Sequence, residues 1–157
     1  MNTIQKLVME ELKEQMKGWG VSPEMTVSDD MDILRAVLNG MGEERKGSLL
    51  LELAFLPTAE ADFPDDFSLF QIYATIETDL PEEKLPGILS GLNKINLESI
   101  LGNYAVFSEG NQLYFRYVGV VRGKQKEAMM DTIQPALNWC VSTLDEDYDR
   151  LIDLCRS

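Results

Sequence analysis

The sequence predicts an α+β domain in which helices pack on one face of an antiparallel sheet. Strand-like segments come in groups joined by short polar links, whereas a parallel sheet would alternate strands singly with helices. Apolar residues at helical spacing open the chain and close it. The 157 residues fit a single domain, 1–157, which can bury roughly 70% of its unfolded surface.

The first predicted element is an amphipathic helix that ends at Gly18 and Gly20. The residues from Trp19 to Met31 are polar and turn-rich around Pro23, which predicts a loop. The apolar positions of the helix recur every three or four residues and are Ile4, Leu7, Val8, Leu12 and Met16.

The segment from Asp32 to Met41 suits a helix or a strand, because its apolar residues recur at both spacings. The strand is favoured because a short polar link flanked by glycines leads directly into the apolar run Leu49–Leu56, as in a hairpin. A loop from Pro57 to Asp66 follows. Apolar and polar residues then alternate over 67–78, which predicts a half-buried third strand.

A second helix is predicted to begin near Pro81, with Pro86 tolerated because it lies early in that helix. Two strands then flank the turn at 109–111, and a long helix covers 125–155 with a kink near Pro135. The predicted order is therefore α-β-β-β-α-β-β-α.

The charge balance excludes several partners. Fourteen Lys and Arg stand against 27 Asp and Glu, a formal net charge of −13. The mean field repels nucleic acids and anionic membranes, so neither is an expected partner. No targeting segment or membrane span is visible, and the two cysteines do not form a disulfide framework. We therefore expect a cytoplasmic protein with reduced thiols.

Histidine is absent, which removes the usual general base at neutral pH and the commonest zinc ligand. Ser-His-Asp and Cys-His sites are impossible within this chain. The segment from Gly42 to Ser48 has the glycine spacing of a phosphate-binding loop, but Ser48 stands where that motif requires lysine. We expect a plain turn there, no cofactor and no enzymatic activity.

A run of acidic residues near the C-terminus resembles the start of a calcium-binding loop. Asp145, Asp147 and Asp149 occupy its first, third and fifth positions, but Arg150 and Arg156 replace the required glycine and glutamate. Apolar residues continue the helical spacing through this run, so these acids are predicted to lie on an exposed helix face.

Carboxylates leave one alternative class open. The pairs Glu82–Glu83 and Asp65–Asp66 could serve a carboxylate-dependent enzyme or a divalent-metal site. Eight methionines would also suit a small-molecule sensor with an adaptable apolar pocket between sheet and long helix.

Aromatic residues crowd the second hairpin, and strand alternation divides them between two faces. Tyr114 and Arg116 share one face, and Gln71 and Tyr73 occupy the polar face of the third predicted strand. Tyrosine and arginine are favoured at protein interfaces. These four residues are the predicted protein-binding surface. A homodimer through a sheet edge or the second helix is a further expectation.

Three stretches carry a resemblance to a known family: ILRAVL followed by LLLELAFLP; FSLFQIYATIETDLPEEKL; and LNKINLESILGNYAVFSEGNQLYFRYVGVV. An asparagine-rich helix end with Asn93 and Asn96 leads into Leu101-Gly102-Asn103-Tyr104. With these features the chain resembles the YbjN family over roughly residues 30–155.

The YbjN family shares the fold of type III secretion chaperones. The resemblance implies an α-β-β-β-α-β-β-α sandwich and a non-enzymatic role. Secretion chaperones of that fold bind unfolded stretches of effector proteins, often as dimers, and regulatory roles are proposed for some YbjN-like proteins. The resemblance defines no binding residue in this chain.

Overall fold

The computed structural model describes residues 1–58 and 64–157. The predicted loop at 57–66 therefore lies partly outside the described residues. The described elements comprise three α-helices and six strands, with a 3₁₀ turn at Glu82–Lys84 before α2. They are α1 (Thr3–Gly18), β1 (Glu24–Ser28), β2 (Met31–Met41), β3 (Gly47–Leu56), β4 (Phe67–Glu77), α2 (Leu85–Glu98), β5 (Asn103–Phe107), β6 (Gln112–Arg122) and α3 (Lys126–Arg156).

The strands form one antiparallel sheet in the order β1-β2-β3-β4-β6-β5. The α+β class, the two hairpins and the strand at 32–41 are confirmed. The three helices pack against one face of the sheet, whose alternate side chains form the core with theirs. Phe70, Ile72 and Phe115 lie at its centre and are almost fully buried.

The predicted order of elements is wrong in one respect, since four strands precede α2. The missed strand is β1, which lies within the predicted loop at 19–31. Its only apolar residues are Met25 and Val27, and both are exposed at the edge of the sheet. Pairing with β2 therefore defines this strand. Because neither of its faces is buried, its sequence shows little alternation of apolar and polar residues.

Helix α1 begins at a capping box, in which Asn2 and Gln5 each accept a hydrogen bond from the other's backbone N–H. The predicted apolar stripe is wrong at one position, because Leu7 is exposed and Met9 is buried in its place. The core thus meets a slightly different face of the helix from the one that spacing predicted.

Helix α3 crosses the sheet and contacts both α1 and α2. It runs through Pro135 as one continuous element, and the ring of Pro135 is exposed. In α2, Pro86 lies in the first turn, as predicted, where the missing N–H costs no helical hydrogen bond. Within the described residues, no helix combines the length and the apolar character that crossing a membrane requires.

Candidate functional site

One face of the sheet carries no helix among the described elements, and we call it the open face. Side chains reach it from alternate positions of the four central strands. Its residues are Arg35 and Val37 of β2, Leu50, Glu52 and Ala54 of β3, Leu69, Gln71, Tyr73 and Thr75 of β4, and Tyr114, Arg116, Val118 and Val120 of β6.

All four residues of the predicted binding surface lie together on the open face. Tyr73 is directly opposite Arg116 in the register of β4 and β6. The rings of Tyr73 and Tyr114 are stacked, with centroids 4.9 Å apart and planes inclined by 16°. Arg116 Nε donates a hydrogen bond to Gln71 Oε1 over 2.7 Å. The strand register thus brings together residues that are about 45 positions apart in the chain, as Arg116 and Gln71 are.

The charges on the open face are unevenly paired. Arg35 forms an ion pair with Glu52 on the neighbouring strand. Among the described residues, Arg116 has no carboxylate partner, and it is exposed. A local cation is thus available in a chain whose net charge is −13.

Partial burial raises the pKa of Tyr73 above its ordinary value, and Tyr114 and Glu52 raise it further, against an opposing effect of Arg116. The Tyr73 hydroxyl therefore stays protonated at physiological pH and can donate a hydrogen bond as well as accept one.

Aliphatic side chains surround this polar centre. Val37, Val118 and Val120 are 51%, 38% and 54% exposed, and Leu50 and Leu69 are half-buried. Alternation along β6 places Val118 on the same face as Tyr114 and Arg116. Val37 and Val120 were missed, although the same period-two pattern could have found them.

The segment with phosphate-loop spacing contains the link between β2 and β3. Its backbone N–H groups donate hydrogen bonds to carboxylates of α3. The N–H of Gly42 donates to Asp145 Oδ1 over 3.0 Å, and the N–H of Glu43 donates to Asp149 Oδ2 over 2.8 Å. Arg45 also pairs with Asp145, at 2.8 Å. These contacts fasten the link to α3.

The prediction that the acids of α3 all lie on an exposed helix face is wrong. Asp145 and Asp147 are half-buried, and Asp147 accepts a hydrogen bond of 2.7 Å from the hydroxyl of Tyr104. Asp145 faces the link between β2 and β3, and Asp147 faces Tyr104 of β5, because α3 lies across the sheet. Helical spacing alone does not reveal this arrangement. Within the described part of the chain, no group of three or more acidic or cysteine side chains has the geometry to hold a metal ion.

Both cysteines are free and buried. Burial raises the pKa of the Cys140 thiol to about 12 and raises that of Cys155 as well. The reactive thiolate is therefore scarce at neutral pH.

A cleft of about 340 Å³ lies between α3 and the link from β2 to β3. Its walls mix apolar side chains, including Trp19 and Val141, with the charged pair Arg45 and Asp145. The small-molecule alternative placed a pocket between the sheet and the long helix, and this cleft is at the margin of that interface.

Comparisons with known proteins found no match to a family model, a curated protein or a solved structure. The resemblance to the YbjN family therefore stays a prediction.

Proposed function

We propose that this chain is a non-enzymatic, cytoplasmic protein-interaction module that binds another protein through the open face of its sheet. The observation that supports the proposal most is the convergence of Gln71, Tyr73, Tyr114 and Arg116 on a face that no described helix covers. Nucleic acids and anionic membranes are not expected partners, because the net charge of −13 repels both.

The centre of the open face is already ordered for binding. The stack of Tyr73 on Tyr114 and the hydrogen bond from Arg116 to Gln71 hold these side chains in place before a partner arrives. Binding then costs less side-chain entropy than it would for freely rotating groups. Tyrosine and arginine are also among the residue types that are enriched at the energetic centres of interfaces.

The surrounding chemistry specifies the partner in outline. The exposed valines would bury apolar side chains, and the unpaired guanidinium of Arg116 would meet a carboxylate or a backbone carbonyl. The partner that suits these groups is an extended segment that carries apolar residues near an acidic group. A chaperone-like or regulatory role follows by analogy with the YbjN resemblance, since secretion chaperones of that fold bind unfolded stretches.

Affinity capture tests the proposal directly. The tagged chain would be incubated with lysate of its own source cell at low salt, and captured proteins would be quantified by mass spectrometry. The wild-type chain is compared with the double variant Tyr73→Ala/Arg116→Ala. Trp139→Ala is the matched control, because Trp139 is 49% exposed on α3, away from the open face.

We expect one polypeptide, enriched near stoichiometry by the wild type and the control, to be lost with the double variant. Equal capture by all three chains would show that the open face is not the binding surface. A saturable heat on titration with calcium, magnesium or manganese would instead favour the divalent-metal alternative.

A further inference from the structure

The two edges of the sheet differ in whether their outward backbone groups are occupied. At β5 the side chain of Asn96 pairs with the backbone of Tyr104: its Nδ2 donates to the carbonyl oxygen and its Oδ1 accepts from the N–H, each over 2.8 Å. This amide takes the place that a neighbouring strand would occupy. The edge at β5 is therefore blocked at Tyr104.

The edge at β1 has no such cover among the described residues. Asp29 and Asp30 have φ angles of 50° and 61°, which define a two-residue hairpin turn of type I′. Ser28 and Met31, which close this turn, form a hydrogen-bonded pair in such a hairpin. Thr26 and Glu24 consequently bond to β2 as well, and Met25 and Val27 direct their N–H and C=O groups outward.

We propose that a second copy of this chain pairs with the outer edge of β1, with the two β1 strands antiparallel about a two-fold axis at Thr26. In this register Met25 lies opposite Val27 of the second copy, and all four outward groups of each strand form intermolecular hydrogen bonds. The neighbouring register, in which Met25 lies opposite Met25 of the second copy, is less favourable. It would place Val27 opposite Pro23 of the second copy, and proline has no N–H to donate.

The side chains of β1 can lie opposite those of β1 in a second copy without repulsion. Glu24 faces Ser28 and Thr26 faces Thr26, so no like charges lie opposite each other despite the overall charge of −13. The strand also lacks the lysine, arginine or proline that commonly prevents edge pairing. This self-complementarity favours a second copy over an unrelated strand.

Exposed apolar side chains lie beside the proposed backbone hydrogen bonds and would be buried by pairing. Met25 and Val27 are 40% and 66% exposed on the side of the sheet that carries the helices. Met25 lines a surface cleft with Lys6, Glu10 and Lys13 of α1. These alternating charges can pair with the opposite charges on the second copy's α1. Pairing would join two six-stranded sheets and place the open faces side by side.

Light scattering after size-exclusion chromatography tests the pairing over a range of protein concentrations. We expect the wild-type mass to approach twice the 17.8 kDa of one chain as concentration rises. Val27→Lys should remain at the mass of one chain, because its ammonium would lie against the second copy's Met25. Phe107→Lys is the matched control, since Phe107 is similarly exposed at the blocked edge in β5.

A wild-type chain that stays monomeric at every concentration would overturn the proposal. A dimer that Val27→Lys leaves intact would also overturn it. Neither variant alters Tyr73 or Arg116, so failure of this proposal is distinguishable from failure of the proposed function.

A cysteine introduced at the two-fold axis tests the register independently of stability. Directly opposite residues of a non-hydrogen-bonded antiparallel pair have Cα atoms about 4.5 Å apart, within the range for a disulfide. Thr26→Cys should therefore form a covalent dimer under mild oxidation, and Ala105→Cys at the centre of β5 should not. The native thiols are buried and remain unreactive. Absence of the Thr26→Cys dimer, or equal cross-linking at both positions, would contradict this register.

Discussion

At the residue scale, Tyr104 joins three elements of the fold. Its ring is buried against Phe115, with centroids 5.3 Å apart. Its hydroxyl donates to Asp147 of α3, and its backbone pairs with the Asn96 side chain of α2. The asparagine-rich helix end that the resemblance singled out thus has a structural role, since Asn96 closes one edge of the sheet.

The alkaline stability of the protein should depend on Tyr104. Burial, assisted by the hydrogen bond to Asp147 and its charge, raises the pKa of Tyr104 above its ordinary value of about 10. Above about pH 10 the unfolded chain loses this proton and the folded chain keeps it, so the stability contribution is full below that pH and falls as the pH rises. Urea unfolding at a series of pH values should show this decline.

Tyr104→Phe should flatten that alkaline decline and should lower stability at pH 7 by about 1–2 kcal/mol, because Asp147 loses the hydroxyl donor and retains only its ion pair with Arg150 among the described contacts. Tyr73→Phe is the control: the pKa of Tyr73 is also raised, but its ring is only half-buried, so the flattening should be smaller. An alkaline slope unchanged in Tyr104→Phe would show that this tyrosine is not the source.

At the scale of elements, the link between β2 and β3 is held closely against α3. Gly42 has a φ angle of +83°, which glycine adopts without strain. Gly47 is required for another reason, because a Cβ atom there would lie 2.1 Å from the ring of Tyr148 and 2.8 Å from the carbonyl oxygen of Met41. The glycine spacing that resembles a phosphate loop is thus explained by packing against a helix.

Gly47→Ala should destabilise the protein by about 1–3 kcal/mol, the usual cost of overpacking a close contact. Gly18→Ala is the matched control, since Gly18 ends α1 and no neighbouring element lies within 4 Å of the position that its Cβ would take. That change should be neutral or stabilising by up to about 1 kcal/mol. Chemical denaturation measures both free energies, and equal values for the two variants would contradict the contact with Tyr148.

At the scale of the whole molecule, repulsion among excess carboxylates opposes folding. The net charge is −13, and every ion pair among the described residues has at least one side chain that is 35% or more exposed. Exposed pairs contribute at most about 1 kcal/mol each. Self-repulsion is therefore expected to outweigh the stabilisation that these pairs provide.

Moderate salt should consequently stabilise the protein. Raising the ionic strength from about 10 mM to about 150 mM shortens the screening length from roughly 30 Å to roughly 8 Å, which weakens long-range repulsion first. The thermal midpoint at pH 7, measured by calorimetry at one protein concentration, should rise. Repeating the series on Val27→Lys separates this effect from any change in self-association. A midpoint that falls with added salt would show that the ion pairs dominate.

Much of the fold was predictable because its signals are local. Alternating residues over 67–78 predicted β4, and helical spacing predicted the position of α3. The candidate site was predictable in part, since alternation along each strand placed Tyr114 with Arg116 and Gln71 with Tyr73. The edge strand β1 was missed because neither of its faces is buried, so its sequence carries little periodicity.

The sequence alone determined the α+β class, the sharing of one face by Gln71 and Tyr73 and of another by Tyr114 and Arg116, and the absence of histidine chemistry. Tertiary structure decided which strands are neighbours, and hence that Tyr73 stacks on Tyr114 and that Asp145 and Asp149 bind a distant link. It also decided that the Asn96 side chain occupies the outer edge of β5 at Tyr104, whereas no described residue pairs with the outer edge of β1. The physical reason is that periodicity records burial along one segment, whereas contacts between segments depend on strand order and register.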